Sequence, residues 1–345
     1  MRLLRVLLIV LFFCNYTACK KSVTENNNSS GNNPPLAAGF VKGADISWLT
    51  QMEASNKKFY NSTGTEQDCM MILKNLGMNC IRLRVWVDPA GGWNNKADVL
   101  AKSIRAKNLG MRIMIDFHYS DTWADPGNQV KPSAWTGQDF ATLKTSLYNH
   151  TTDVLTSLKN NGITPEWVQV GNETNDGLLW PDGKASTNMN NFAQLINAGY
   201  DAVKAIYSTT KVIVHISNGY DNNHFRWIFD GLKSNGGKWD VIGMSLYPGP
   251  TNWASLNSQC LTNMNDMVAR YNKEIMIVEV GMSWDNPVAT KDFLADLITK
   301  TNSVTNNKGL GVLYWEPEAY GNWQGYTLGA FDNSGKPTAA LSAFN

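Results

Sequence analysis

The sequence lacks what would mark a nucleic-acid-binding, zinc-binding or repeat protein. Its 345 residues set 30 Lys plus Arg against 29 Asp plus Glu, a net charge of +1, and no basic block is present. The long-range field that gathers phosphate backbones is therefore missing. Cysteine is scarce, 5 in all, with no C-x-x-C spacing for zinc or redox work. No period of about 20 to 50 residues recurs, which excludes solenoids and propellers. Charged residues make up only 17% and hydrophobic residues 43%, enough apolar matter for a sizeable core and too ordinary a balance for a disordered chain. What is abundant is tryptophan, 13 residues beside 12 Tyr and 12 Phe. Flat rings beyond the needs of a core often stack on apolar faces of ligands, so a sugar-binding cleft is the first expectation.

The N-terminus indicates the compartment. Arg2 and Arg5 flank an apolar run from Leu7 to Phe13, too short for a permanent bilayer span but suited to a signal-peptide core. It ends in Tyr16-Thr17-Ala18-Cys19, which resembles a bacterial lipoprotein cleavage box with Tyr16 where leucine is usual. Residues 1–18 are thus expected to be a signal peptide and Cys19 to be lipidated, a plain secretory cut being the alternative. An exported cell-envelope protein, at an outer membrane or cell surface, is implied. Residues 19–38 are rich in Asn, Ser and Pro, with almost nothing to bury, and are expected to be a flexible tether. Cys69, Cys80 and Cys260 remain for the folded part. A bridge between Cys69 and Cys80 would need helix-to-strand geometry that happens to fit, so the expectation is three buried thiols.

From Gly39 onward short apolar runs alternate with amphipathic stretches, the rhythm of βα units around a parallel sheet. The strand candidates are Val41 to Ile46, Cys80 to Val85, Arg112 to Phe117, Trp167 to Val170, Val212 to Ser217, Val241 to Ser245, Ile275 to Glu279 and Leu310 to Trp315. Between them, series such as Cys69-Met70-Leu73-Leu76, Phe140-Leu143-Leu147-Val154-Leu158 and Phe192-Leu195-Ile196-Val203-Ile206 repeat apolar residues at helical spacing. Eight such units predict a single (β/α)8 TIM barrel over residues 39–345.

A barrel of this kind carries its chemistry at the C-terminal strand ends. Polar and aromatic residues accumulate there: Asp45 and Trp48, then Arg84 and Trp86, then Asp116, His118, Asp121 and Trp123, then Asn172 and Glu173, His215, Ser245 and Tyr247, Glu279, and last Trp315 and Glu316. Glu173 and Glu279, after the fourth strand and at the end of the seventh, are candidates for a catalytic pair. Retaining glycoside hydrolysis needs one carboxylic acid to protonate the leaving oxygen and a second carboxylate about 5–5.5 Å away to attack the anomeric carbon. Arg84 and Tyr247 are the candidates for holding Glu279 ionised. Either glutamate taken singly reads as readily as an ion-pair partner or helix cap. His215 and His224 read as structural groups, and Trp167 and Trp227, inside apolar patterns, as core.

Longer motifs then carry a resemblance. Gln169-Val170-Gly171-Asn172-Glu173-Thr174-Asn175 and Ile277-Val278-Glu279-Val280-Gly281 resemble the acid and nucleophile strands of clan A glycoside hydrolases. Gly43-Ala44-Asp45-Ile46-Ser47, Arg82-Leu83-Arg84-Val85-Trp86, the run from Asp116 to Gly127, and Tyr314-Trp315-Glu316-Pro317 are similar to family 53, the endo-β-1,4-galactanases that act on type I arabinogalactan. The resemblance implies Glu173 as acid/base, Glu279 as nucleophile and Asn172 at the sugar 2-hydroxyl. Arg84, His118 and Tyr247 would support them, and Trp86, Trp123 and Trp315 would stack on galactosyl rings. Asp45 and Asp121 complete the expected substrate-binding set. It implies no cofactor, a polysaccharide partner, a monomer, and contact with a membrane only through the lipid. No calcium is expected, because Ser283-Trp284-Asp285-Asn286-Pro287 lacks oxygen-ligand spacing, and no metal at His118, Asp121 and Asp125. Two other readings fit part of the pattern: a clan A enzyme on another β-linked polysaccharide, and a surface lipoprotein that binds glycan without cutting it.

Overall fold

The computed structural model of the chain describes residues 39–345. The expected signal segment, Cys19 and the tether lie outside the described residues. Eight parallel strands close into a barrel: β1 (Val41–Asp45), β2 (Cys80–Val85), β3 (Arg112–Phe117), β4 (Trp167–Val170), β5 (Lys211–Ile216), β6 (Val241–Leu246), β7 (Glu274–Val280) and β8 (Gly309–Trp315). Each lies beside its neighbours in chain order, and β1 pairs with β8 to close the ring. The predicted barrel is therefore the observed one, with boundaries within a residue or two. Helices α1 (Leu49–Ala54) and α2 (Cys69–Asn75) cross from β1 to β2. They are followed by α3 (Lys96–Asn108), α4 (Phe140–Asn160), α5 (Ala185–Ile206), α6 (Asn222–Ser234), α7 (Trp253–Tyr271) and α8 (Pro287–Asn302), one between each later pair of strands. A short hairpin pairing Gly177–Leu178 with Gly183–Lys184, which the periodicity did not announce, sits between β4 and α5. No described helix is long and apolar enough to cross a membrane.

Helix starts follow side-chain chemistry. Asp68, Asn95, Asp139 and Asp221 each accept a hydrogen bond from the backbone N–H three residues on, satisfying donors that have no intrahelical partner. The strands are buried on both faces, and their two faces do different jobs. Outward residues such as Ile81, Leu83, Ile115, Val168, Val214, Ile242 and Ile277 pack against the helices. Inward residues near the N-terminal strand ends, Val41, Cys80, Met114, Trp167, Ile213, Val241, Met276 and Leu313, plug the barrel floor. Nearer the C-terminal ends the inward positions turn polar. Two residues beyond the plug on the same faces stand Arg82, Asp116, Gln169 and His215, all fully buried.

One strand breaks the alternation. Between β6 and β7 the register slips so that Met244 pairs with Ile277 but Ser245 pairs with Glu279. Val278 is the extra residue of a β-bulge. It joins Met276 in the inner plug, while Ile277 and Val280 face the helices. Glu279 is thereby turned into the barrel mouth instead of the helix layer. Cys69, Cys80 and Cys260 are buried free thiols, as expected.

Candidate active site

Glu173 follows β4 after Gly171 and Asn172 and holds φ +41°, a left-handed conformation rare outside glycine and common where a backbone is held for function. Gly171, at φ +82°, starts this turn; a Cβ there would meet Thr174 Cγ2 at 2.5 Å. The turn and the bulge point both glutamates into the mouth. Carboxylate oxygens of Glu173 and Glu279 and a ring nitrogen of His215 lie within 4.8 Å of one another. That closeness suits direct attack at an anomeric carbon rather than attack by an interposed water.

The second shell of contacts divides the labour. Glu279 Oε1 is 2.8 Å from Arg82 Nη2, and its Oε2 accepts the Tyr247 hydroxyl at 3.0 Å. The cation expected to hold Glu279 was Arg84; it is Arg82. Both arginines project inward from β2, two residues apart, and Arg84 is engaged higher up by Glu316. Arg82 also binds Asp45 (2.8 Å) and Asp116 (2.9 Å), and takes in the Gln169 and Asn172 side-chain oxygens. His118 accepts the Ala124 N–H at Nδ1, so its Nε2–H donates to Asp116 at 3.0 Å. Burial pushes both glutamates above the usual carboxylate range, Glu173 to about 7. For Glu279 the Arg82 guanidinium opposes burial, whereas among the described residues no cation ion-pairs with Glu173. The proton of the pair therefore belongs on Glu173.

His215 decides which oxygen carries it. Its Nδ1 receives N–H groups from Gln169 (3.0 Å) and Glu173 (3.3 Å), and burial keeps the imidazole neutral. Nε2 then bears the hydrogen and donates to Ser245 Oγ at 2.6 Å, leaving the serine to donate to Glu173 Oε1 at 2.7 Å. With Oε1 accepting, the acidic proton sits on Oε2. Because that hydrogen bond favours the ionised form, Ser245→Ala is expected to raise the Glu173 pKa and move the alkaline limb of kcat/KM to higher pH. A pH–rate profile checks this, and an unmoved limb would remove Ser245 from the acid's environment.

Around the carboxylates opens a cleft of about 530 Å³, lined among others by Trp48, Trp86, Trp93, His118, Trp123, Asp125, Asn172, Tyr247, Trp315 and Tyr326. This is the volume of a multi-ring small-ligand site, and its walls are mostly flat aromatic surface. At the comparison level, the family model for Glycosyl hydrolase family 53 matches residues 41–344. The chain belongs to family 53. An arabinogalactan endo-beta-1,4-galactanase of Thermothelomyces thermophilus is 33% identical, over 88% of this chain and 98% of that protein. The family 53 catalytic domain of Ignisphaera aggregans superimposes with TM-score 0.83 at 30% identity, covering 91% of this chain and 98% of the other. A structure of a fungal beta-1,4-galactanase does so with TM-score 0.81 at 32% identity, covering 88% and 98%.

The family 53 site gathers most, not all, of the residues expected from sequence. Trp86, His118, Trp123, Asn172, Tyr247 and Trp315 line the cleft with both glutamates. Three expected substrate contacts are placed elsewhere. Asp45 is fully buried, its oxygens taken by Arg82 and by the Ser47 N–H and hydroxyl. Arg84 is fully buried below the indoles of Trp48, Trp86 and Trp123, at 5.1, 5.2 and 4.4 Å from their centroids, with Glu316 as its ion-pair partner. It stiffens the aromatic wall from behind. Asp121 faces away from the cleft and accepts the Asp88 (3.0 Å) and Ser133 (2.8 Å) backbone N–H groups, tying two loops together. Trp167 is core as expected, but Trp227 is 42% exposed on α6. Its helical spacing placed it near the apolar stripe without placing it inside. Arg82, Trp93, Gln324 and Tyr326 were missed. Trp93 lay within reach of the strand-end rule, in the loop after β2. Tyr326 lies eleven residues beyond β8, stacked edge-on to Trp315 at 4.8 Å, and no local pattern marks it.

Proposed function

We propose that this chain is an endo-acting, retaining hydrolase of β-1,4-galactosidic linkages in galactan and type I arabinogalactan, working as a monomer without a cofactor. The observation that carries the reading is the pair of carboxylates within 4.8 Å in an aromatic-walled cleft, one beside a cation and one not. Family membership and relatives named as arabinogalactan endo-β-1,4-galactanases supply the linkage. In the first step Glu279 attacks the anomeric carbon, the glycosidic C–O bond breaks, and the proton on Glu173 Oε2 passes to the departing sugar oxygen. In the second, the Glu173 carboxylate takes a proton from water as that water displaces Glu279, restoring both groups. Arg82 and Tyr247 keep the nucleophile ionised and oriented, and one chain supplies every group required.

Early products of galactan digestion are expected to be mixed galacto-oligosaccharides released as the β-anomer. Proton NMR of the first minutes of reaction, with mannan, xylan and β-glucan as parallel substrates, tests this. Initial α-anomer, galactose alone, or a faster rate on another polysaccharide would overturn the proposal.

For residues 1–38 the proposal is export through residues 1–18, an acylated Cys19, and a tether before the catalytic domain of residues 39–345. Acyl burial is worth about 0.8 kcal/mol per methylene, so two or more chains hold a protein at a membrane durably. Cys19→Ala is expected to shift the protein from the membrane fraction to the soluble or unprocessed fraction, with turnover by the folded domain unchanged. Cell fractionation checks it, and a wild-type protein found wholly soluble would favour the plain secretory cut.

A further inference from the structure

The opposite rim of the barrel holds a second cavity, of about 350 Å³, within the range of small-ligand sites. Its wall is built where β6 and β7 begin and where α6 and α7 end. Trp239 precedes β6, Lys273 immediately precedes β7, Lys233 stands in the last turn of α6, and Tyr271 ends α7. Glu279 lies six residues along β7 from Lys273, so roughly 20 Å of strand separates this cavity from the catalytic mouth.

The lining residues include four cations, Lys233, Lys238, Arg270 and Lys273, and no acid. Lys238 and Arg270 are already paired, with Asp201 and with Asp230 and Asp266. Lys233 and Lys273 have no carboxylate partner among the described residues. Their ammonium groups lie 5.9 Å from the Tyr271 ring and 5.7 Å from the Trp239 ring, at the outer limit of a cation–π contact. A second observation is independent of charge. Trp239 is 95% buried, yet its indole Nε1 has no hydrogen-bond partner. Buried donors are almost always satisfied, so an unmet N–H in a cavity wall points to an acceptor supplied from outside. The tyrosine hydroxyls are spoken for, Tyr271 donating to Asp230 and Tyr200 to Asp240. The open groups are thus two ammoniums and one indole N–H beside aromatic surface.

We propose that this cavity is a second carbohydrate site, selective for an oligosaccharide that carries uronate carboxylates. The carboxylate would meet Lys233 and Lys273, a ring or hydroxyl oxygen would accept from Trp239 Nε1, and the apolar face of the pyranose would lie against the tyrosine rings. A phosphate group fits less well. Two helices end here, and helix C-termini present negative partial charge, which a singly charged carboxylate between lysines tolerates better than a dianion. A sugar's hydroxyls can also donate to exposed carbonyls, which phosphate oxygens cannot. Held at this rim, an acidic stretch of a branched polysaccharide would raise the local concentration of its neutral stretches at the cleft. The site does not depend on which neutral linkage the cleft cuts.

Isothermal titration of the exported chain at low ionic strength tests the proposal with three probes: tetragalacturonate, galactotetraose and inorganic phosphate. Galactotetraose is titrated into Glu279→Gln to prevent turnover. Tetragalacturonate is expected to bind, to bind equally when galactotetraose fills the cleft, and to weaken at least about tenfold in Lys233→Ala/Lys273→Ala. Trp239→Phe, which keeps an aromatic wall and deletes the donor, is expected to weaken it also. The lysine variant should hydrolyse neutral galactan at the wild-type rate. Absence of tetragalacturonate binding, displacement by galactotetraose, equal affinity for phosphate, or unchanged affinity in the lysine variant would each overturn the assignment. Because loss of galactanase activity is read separately on neutral substrate, failure here is distinguishable from failure of the functional reading.

Discussion

Truncating Glu279 to alanine is expected to lower galactan turnover by on the order of 10⁴-fold or more, since the step that breaks the glycosidic bond loses the group that forms the replacement bond. Glu173→Gln should lose about 10² to 10⁴, the usual contribution of a positioned acid. The two variants part company with an activated substrate. Given an aryl β-galactobioside, whose leaving group needs no proton, Glu173→Gln should still form the covalent intermediate. Glu279→Ala should not, until azide enters the space left by the carboxylate. Azide then attacks the anomeric carbon from the same side, the aryl oxide departs, and the product is the α-galactosyl azide, identifiable by NMR. Near-UV circular dichroism matching the wild type excludes a folding defect. Turnover of either variant within a few-fold of wild type would remove that residue from the mechanism, and a β-azide from Glu279→Ala would place the nucleophile elsewhere.

Arg82→Met should be the most damaging substitution for stability. The guanidinium is wholly buried and compensates Asp45, Asp116 and Glu279 at 2.8, 2.9 and 2.8 Å. Methionine fills a similar volume and leaves three carboxyl groups around an apolar side chain. Removing one member of a buried ionic group costs about 3–5 kcal/mol, because the remaining charge cannot be resolvated. In a chain of this length the melting temperature is expected to fall by roughly 5–15 °C. The pH dependence fixes the cause. Glu279 is already raised by burial, and Arg82 is the group that opposes the rise. A carboxyl raised above its unfolded value contributes stability below the unfolded pKa and loses it as pH rises through the folded one. The deficit of Arg82→Met relative to wild type should therefore shrink toward acid pH and widen toward neutrality. Urea unfolding at several pH values measures it, and a deficit independent of pH would mean that Arg82 acts by packing alone.

The barrel and the catalytic pair were legible because each rests on a pattern the backbone imposes. Apolar runs such as Lys211 to Ile216 have one use in an α/β chain, and a polar residue at a strand's C-terminal end has few places to go but the mouth. Which partner each polar residue takes was not legible. Arg82 and Arg84 share a face of β2, so alternation treats them alike; only the relative heights of β2 and β7 give Glu279 to the first and Glu316 to the second. Asp45 and Asp121 look like substrate contacts because they are acidic and near the rim, but one is consumed by Arg82 and the other by two backbone amides. Strict alternation along Ile275 to Glu279 would even have put the nucleophile on the helix side with Ile275 and Ile277.

The extra residue on β7 makes catalysis a matter of parity. A pleated strand has only two directions to offer, and the count of residues between Ile277 and Glu279 selects one of them. Exchanging one amino acid for another leaves the count untouched, so substitutions around the bulge alter fit and polarity without returning the carboxylate to the far side. Changes of chain length act differently: their effect depends on whether they are odd or even and on where the pleat absorbs them. This stretch of the gene is thus buffered against misspelling and exposed to slippage, a vulnerability that no catalogue of point variants would register.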